Sequence, residues 1–496
     1  MIDTTATFPV PDVAAARALG RELRSLGYTE NAVYRLLGDD AYSTESHEAP
    51  IAARRLPDDR LGIAVQAFFL QLPVTRTDAL RALGPRGLEA LDQLGLAGPG
   101  ETVALRSRIL PIGKLLLASD GFSREDDDPP DYVATYTPTA RVLDSLTPRR
   151  QVDRALDVGT GSGVHALLAA EHARHVVATD VNERALAYTE LNAGLSGVTN
   201  VECRRGSLFE PVAGETFDHI TCNAPYVISP ERRWAYRDSG FRGDEVSERV
   251  VRISAEHLRD GGFATVQVSW LAPDEDAADE RVLAWVEETA YDAWILPTMS
   301  VDVLEHAAEW NGHLAHDPDA LARALDEWAA YFDELGMHWV SEGVVILRRD
   351  DRRTASIRVD PVDDEDLDDA SDQVVRAFEA RDRLSRLAQD EILDARVAPA
   401  SALRIEEELE PDDGRHEVVE ARVVLAEGTK QAVETTSEAL QVLTSLDEET
   451  SLRALVSTTA EELALSPEDA LRLEREATRL VRELLQLGAL ELLSSA

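Results

Sequence analysis

The chain has 496 residues, 44% of them hydrophobic, which is room for about three domains that each bury a core. A formal charge of −43, from 93 acidic against 50 basic residues, disfavours a nucleic-acid partner, because a phosphate backbone is usually met by a basic face. Two cysteines, Cys203 and Cys222, exclude a disulfide framework or a cysteine zinc cluster. The absence of a signal segment or a ~20-residue apolar run points to a cytoplasmic protein with no membrane partner.

Residues 1–118 read as an N-terminal helical, winged-helix-like domain. Apolar periodicity predicts helices over 13–26, 30–37, 61–72, 77–83 and 87–94, with Gly95 as a C-terminal cap. The alternating stretch 102–108 then reads as a strand or wing. Such a domain either recognises a partner or packs over its neighbour. Arg54, Arg55, Arg60, Arg76, Arg81 and Arg86 are its candidates for a basic face, diluted by Asp58, Asp59 and Asp78. The polar stretch 119–131 is expected to be a linker, or a lid over the next domain.

From 132 to 350 short apolar strands alternate with helices, the pattern of an α/β domain with a doubly wound parallel sheet. Strands are predicted over 154–158, 175–180, within 198–204, and over 217–222, 262–268, 294–296 and 339–347, with an amphipathic helix at 318–335. Residues 351–496 change character. An acidic, loose stretch is expected over 351–369, then a helix, a hairpin turning at Pro411-Asp412-Asp413-Gly414, and helices near 434–444, 450–457 and 467–487. The run 485–490 echoes 91–96, so this acidic α+β domain also reads as winged-helix-like.

The chemistry sits in the middle domain. Asp157-Val158-Gly159-Thr160-Gly161-Ser162-Gly163 follows the first strand and opens a helix. Its glycines let the backbone approach a ligand and leave helix N–H groups pointing at it. The spacing Gly-x-Gly-x-Gly is not that of a pyrophosphate loop, and a carboxylate at Asp157 suits a cationic ligand such as S-adenosylmethionine. Asp180 closes the second strand, where a carboxylate takes both ribose hydroxyls, and Asn182 lies near the same ribose; a strand-end carboxylate is otherwise a helix cap. Ser207 and Leu208, with Phe209, follow the third strand where the adenine would lie. Asn223-Ala224-Pro225-Tyr226 follows the fourth, a turn suited to gripping a planar nitrogen. His306, His313 and His316 have no metal-ligand spacing and read as surface residues, so no metal is expected.

Together these stretches resemble a class I S-adenosylmethionine-dependent methyltransferase. The last motif is similar to the Asn-Pro-Pro-Tyr of the N-methylating branch, and the likeness to the HemK/PrmC type extends through 236–244 and 258–262. The resemblance covers 132–270, with 349 as its outer bound, and neither flank. It implies a Rossmann-like domain, with Asp157, Gly159, Thr160, Gly161, Gly163, Asp180, Asn182, Ser207, Leu208 and Asn223 around the cofactor and Asn223, Pro225 and Tyr226 at the acceptor. Asn223 and a neighbouring carbonyl would accept the two N–H hydrogens of an amide, turning its lone pair toward the methyl group, while Tyr226 walls the acceptor plane. Ala224 stands where the pattern has proline, which frees one backbone N–H. The expected activity is N-methylation of a glutamine-like amide in a protein or peptide. The alternatives are N-methylation of an adenine or guanine amine in RNA or DNA, and a regulatory protein that binds S-adenosylmethionine without catalysis.

Overall fold

The computed structural model describes residues 12–98, 100–122, 128–223, 225–231, 240–289, 291–351, 355–412 and 415–493. Ala224, residues 236–239 of the resembling segment 236–244, the turn 413–414 and residues 123–127 of the boundary stretch lie outside the described residues. The chain divides into two compact units. Met1–Arg141, Arg150–Ala290 and Met299–Asp351 form the first; Val142–Arg149, Tyr291–Thr298 and Arg352–Ala496 form the second. Among the described residues no helix is long and apolar enough to cross a membrane.

The first unit begins with helix α1 (Val13–Ser25), capped by Asp12, whose carboxylate accepts from the Ala14 and Ala15 N–H groups. Helix α2 (Arg76–Gln93) joins the two short predicted helices across a break at Gly84, φ +69, ahead of Pro85. The predicted strand 102–108 resolves into two pieces. Thr102–Val103 pairs with Val74–Thr75, while Ser107 opens a hairpin of strands β1 (Ser107–Ile112) and β2 (Leu115–Asp120). The stretch expected to begin a linker at Ser119 thus starts inside a buried strand.

Five strands then run parallel: β3 (Val152–Val158), β4 (Ala173–Asp180), β5 (Val201–Arg205), β6 (Phe217–Cys222) and β7 (Leu258–Ala272). They lie in the order β5-β4-β3-β6-β7, and β8 (Trp339–Arg348) adds antiparallel to β7. Their central residues, such as Val176, Val177 and Ile220, are wholly buried, as continuous apolar runs in a parallel sheet should be. Helices α3 (Val164–Ala169), α4 (Glu183–Ser196), α5 (Glu245–His257), α6 (Val303–Trp310) and α7 (Pro318–Leu335) also belong to this unit. This is the doubly wound, Rossmann-like sheet that the alternation predicted.

The N-terminal helices and hairpin share one core with α3 and α4: Leu19, Leu23, Phe69 and Leu117 pack with Leu167, Tyr188, Leu191 and Leu195. Two glycines set the crossing of α1 and α4. A Cβ at Gly20 would run into the Leu195 carbonyl, and one at Gly194 would come within 2.7 Å of the Ala16 Cβ. The helices therefore meet backbone to backbone, and Arg24 donates to the Leu195 carbonyl at 2.7 Å.

In the second unit, Leu403–Asp412, Arg415–Leu425 and Ala432–Thr435 form an antiparallel sheet, followed by helices Ser437–Thr444, Leu452–Glu462 and Pro467–Gln486. The helix expected from 434 starts at Ser437 because Thr436 caps it, and the preceding residues pair as a strand. The stretch expected to be loose is not so throughout: Ile357–Val359 pairs in parallel with Ala293–Ile295, and Val362 and Leu367 are buried. The echoing sequences share a local path. Each ends a helix, passes a left-handed glycine (Gly95, φ +65; Gly488, φ +73) and continues as an extended, paired segment.

Candidate functional site

The strand order reverses between β3 and β6, and loops from the carboxyl ends of β3, β4, β5 and β6 gather there, where open α/β sheets take ligands. Registry sets them level: Val158 lies opposite both Thr179 and Cys222, and Asp180 opposite Arg205. The glycine loop, Asp180, Ser207, Leu208 and Asn223 all fall on this edge.

Gly159, Gly161 and Gly163 have φ of +68, +55 and +85, a region that side chains avoid. They differ in what surrounds them. A Cβ at Gly161 would meet nothing within 4 Å, so this residue faces open space, whereas one at Gly163 would come 2.8 Å from Thr189 on α4. Gly161 leaves a bare backbone for a ligand; Gly163 lets the loop press against a helix.

The two acidic residues also divide. Asp157 is 1% exposed and turned inward. Its carboxylate accepts from the Thr160 hydroxyl (2.7 Å), the Ala166 N–H (3.0 Å) and the Thr221 hydroxyl (3.0 Å). Burial pushes its carboxyl up, opposed by His165 and these donors, and burial pushes His165 down, opposed by Asp157. Asp157 and Thr160 thus tie the loop to β3, β6 and α3 instead of presenting their side chains to a ligand. Asp180, by contrast, is half-buried; it accepts from the Gly161 N–H (2.9 Å) and the Asn182 N–H (2.8 Å). Burial raises its carboxyl, opposed by the backbone N–H groups of Asn182, Gly161 and Val181. Asn182 caps α4 through the Arg184 N–H and donates to the Asp131 carbonyl.

Leu208 is half-buried at φ +47, its carbonyl accepting from Thr179, while the Gly206 N–H donates to the Asp180 carbonyl. Ser207 is half-buried, with its N–H toward Glu210. Phe209 does not cover this edge. It is buried against His257 of α5, ring centroids 4.9 Å apart. Asn223, Pro225 and Tyr226 leave β6 half-buried, and among the described residues the Asn223 side chain has no hydrogen-bond partner. The Tyr226 carbonyl accepts from Ser269 of β7.

Several supporting residues were missed. Asn192, wholly buried on α4, donates to the Ser162 carbonyl (2.7 Å) and the Ala118 carbonyl (2.8 Å) and accepts from the Ala118 N–H (2.7 Å). It stitches the glycine loop to the hairpin. Asp120 accepts from Arg184, Tyr188 and the Val133 N–H. His306, expected on the surface, is wholly buried and donates to the Ile228 carbonyl at 3.2 Å, because α7 closes over it. An amide or carboxylate set in an otherwise apolar face was the available signal for the first two.

The residues on this edge fit S-adenosylmethionine: a carboxylate for ribose hydroxyls, an open glycine backbone beside it, and, at the next strand but one, an amide with no partner among the described residues. Residues 137–271 match the Methyltransferase small domain family, and residues 25–108 match a domain of unknown function (DUF7059). The chain is 35% identical over 150 residues to the ribosomal protein uL3 glutamine methyltransferase of Bradyrhizobium diazoefficiens, covering 27% of this chain and 47% of that one. It is 40% identical over 138 residues to the release factor glutamine methyltransferase of Aliivibrio fischeri, covering 25% and 48%. It therefore spans about half the length of the curated relatives it matches. A solved methyltransferase from Pyrococcus furiosus is 19% identical at a TM-score of 0.27, over 43% of this chain and 83% of that one. The central stretch thus carries a methyltransferase domain, similar to that of the HemK-type glutamine methyltransferases.

Proposed function

We propose that the whole chain is an N-methyltransferase acting on a glutamine-like side-chain amide of a protein or peptide in the cytoplasm. The observation that carries this reading is Asn223: a half-buried amide with no partner among the described residues, on the switch-point edge that holds Gly161 and Asp180. An amide nitrogen is a poor nucleophile because its lone pair is delocalised. Asn223 Oδ1 and a carbonyl of the following turn accept its hydrogens, and Tyr226 walls its plane, so the lone pair is held toward the methyl donor. S-adenosylmethionine, when bound, supplies an electrophilic methyl group on sulfur. Asp180 holds the ribose, and the Gly159–Gly163 backbone admits the rest. The names of the relatives, glutamine methyltransferases of uL3 and of release factor, support the amide acceptor.

The charge of −43 supports a protein over a nucleic-acid acceptor. So does the state of the candidate basic face: Arg76 pairs with Asp92, Arg81 with Asp58 and Asp78, and Arg60 donates to the Ala82 carbonyl. The test is methyl-labelled S-adenosylmethionine added to separated protein and RNA fractions of the source cell. Label entering protein, at a side-chain amide, is expected. Label in RNA alone refutes the reading. Tight cofactor binding with no label in either fraction would favour the non-catalytic alternative.

A further inference from the structure

The turn after β6 leaves the sheet at Asn223, so its aim depends on what holds the residues that follow. Two side chains do so from different elements. Ser269 of β7 donates to the Tyr226 carbonyl. His306 of α6 donates through Nε2 to the Ile228 carbonyl at 3.2 Å. His306 is wholly buried, and its Nδ1 lies 3.8 Å from the carboxylate of Glu342 on β8. Trp328 and Phe332 of α7 pack around the ring, with centroids 5.6 and 6.1 Å away. Val227 and Ile228 belong to the same apolar cluster. A donor packed among aromatic rings and sealed from water holds a carbonyl far more tightly than a solvated one would.

The same helical pair reaches the segment that follows the motif. The Gly243 N–H donates to the Tyr331 hydroxyl at 2.7 Å, and Arg242 pairs with Glu334. The segment 303–335 therefore touches the chain on both sides of the undescribed residues 232–239.

Resting on the methyl-transfer reading above, we infer that His306, seated in this aromatic cluster, is a positioning residue for that reaction. It never touches the acceptor. It fixes the Ile228 carbonyl, and so the aim of the turn that carries Asn223. Misplacement of a reacting group by about 1 Å is enough to lower a rate on the order of 100-fold.

The test compares His306→Phe, which keeps the ring and removes the donor, with His306→Gln, which restores an N–H donor. Three quantities are read on the full chain: the initial rate of label transfer to the wild-type's acceptor fraction at saturating S-adenosylmethionine, the calorimetric Kd for S-adenosylmethionine, and amide hydrogen exchange over 226–229. The phenylalanine variant should transfer roughly 10- to 100-fold more slowly, with Kd within about threefold and faster exchange; the glutamine variant should recover most of the rate. A folded phenylalanine variant with the wild-type rate and exchange overturns the inference. So does a loss of affinity as large as the loss of rate, which marks a merely structural role. Should that variant not fold, His306→Asn decides, because its shorter amide falls short of the Ile228 carbonyl: a several-fold slower rate at unchanged Kd supports positioning, and an unchanged rate overturns it. If the wild-type transfers no label at all, the functional reading fails by itself, and the exchange of 226–229 still decides whether His306 fixes the turn.

Discussion

Replacing Asp157 by asparagine removes a charge and keeps a shape, which separates two accounts of the glycine loop. If the carboxylate faced the sulfonium of S-adenosylmethionine at about 5 Å, an effective dielectric of about 20 gives an attraction of about 3 kcal/mol, or more than 100-fold in affinity. The structure supports the other account. Asp157 is 1% exposed and its acceptors are used by Thr160, Ala166 and Thr221. In Asp157→Asn the side-chain oxygen keeps the Ala166 N–H and the Thr160 hydroxyl. The new NH₂ faces the Thr221 hydroxyl, which can turn to accept and to donate toward the Leu156 carbonyl at 3.4 Å. Calorimetry with S-adenosylmethionine and with S-adenosylhomocysteine, which is uncharged at sulfur, should show both weakened alike, by no more than about threefold. The stability profile carries a second sign. Burial raises this carboxyl in the folded state, so the native protein binds more protons than the unfolded chain and loses stability as pH rises from the ordinary carboxylate range through the raised one. The asparagine variant lacks that slope, and its Tm at pH 7 should not fall below the wild-type's. A loss above about 30-fold for S-adenosylmethionine, with S-adenosylhomocysteine unaffected, would place Asp157 against the sulfonium and refute the reasoning.

Asn223→Ala should lower the rate of transfer at saturating cofactor about 100- to 1,000-fold, the scale of losing one preorganised polar group, while the calorimetric Kd moves little; comparable losses in both would contradict the clamp. Asp180→Ala should do the reverse, weakening cofactor binding on the order of 100-fold, because a charged acceptor and the partner of the Gly161 N–H go together; an unchanged Kd would remove Asp180 from the ribose. Asn192→Ala leaves two carbonyls and one N–H without their buried partner and should cost about 2–4 kcal/mol by denaturant unfolding; a loss under about 0.5 kcal/mol would show that the stitch between hairpin and loop is dispensable.

What the sequence disclosed follows from where its information is local. Strand ends are marked by apolar runs that stop, and the four loops on the ligand edge are the residues just after those stops, so Gly161, Asp180, Leu208 and Asn223 could be placed without knowing any long-range contact. The side on which a residue points was less legible. Asp157 and Asp180 are both carboxylates near the carboxyl ends of neighbouring strands. The first still pairs with Ala178 and Thr221 inside the sheet and meets α3, while the second sits opposite Arg205 at the limit of the register. Phe209 looked like cover for a flat ligand, yet it belongs to α5 by way of His257.

The unread parts have a common cause. The strand Leu115–Asp120 pairs on one edge with its hairpin neighbour, but its other edge is met from far along the chain: Asn192 takes the Ala118 N–H and carbonyl, and Ser196 takes the Leu116 N–H. His306 looked like one of three loosely spaced histidines, and only the closure of α7 and β8 around it makes it a buried donor. In each case a polar side chain sits in an apolar face, where burial without a partner is costly. That cost turns the oddity into evidence: Asn192 within a helix, Asp120 ending an apolar strand and His306 on an amphipathic helix each imply a partner that must come from elsewhere in the fold. The partners they found are the glycine loop, the helix after Asp180 and the turn after Asn223, so the residues hardest to read locally are the ones that hold the legible site in place.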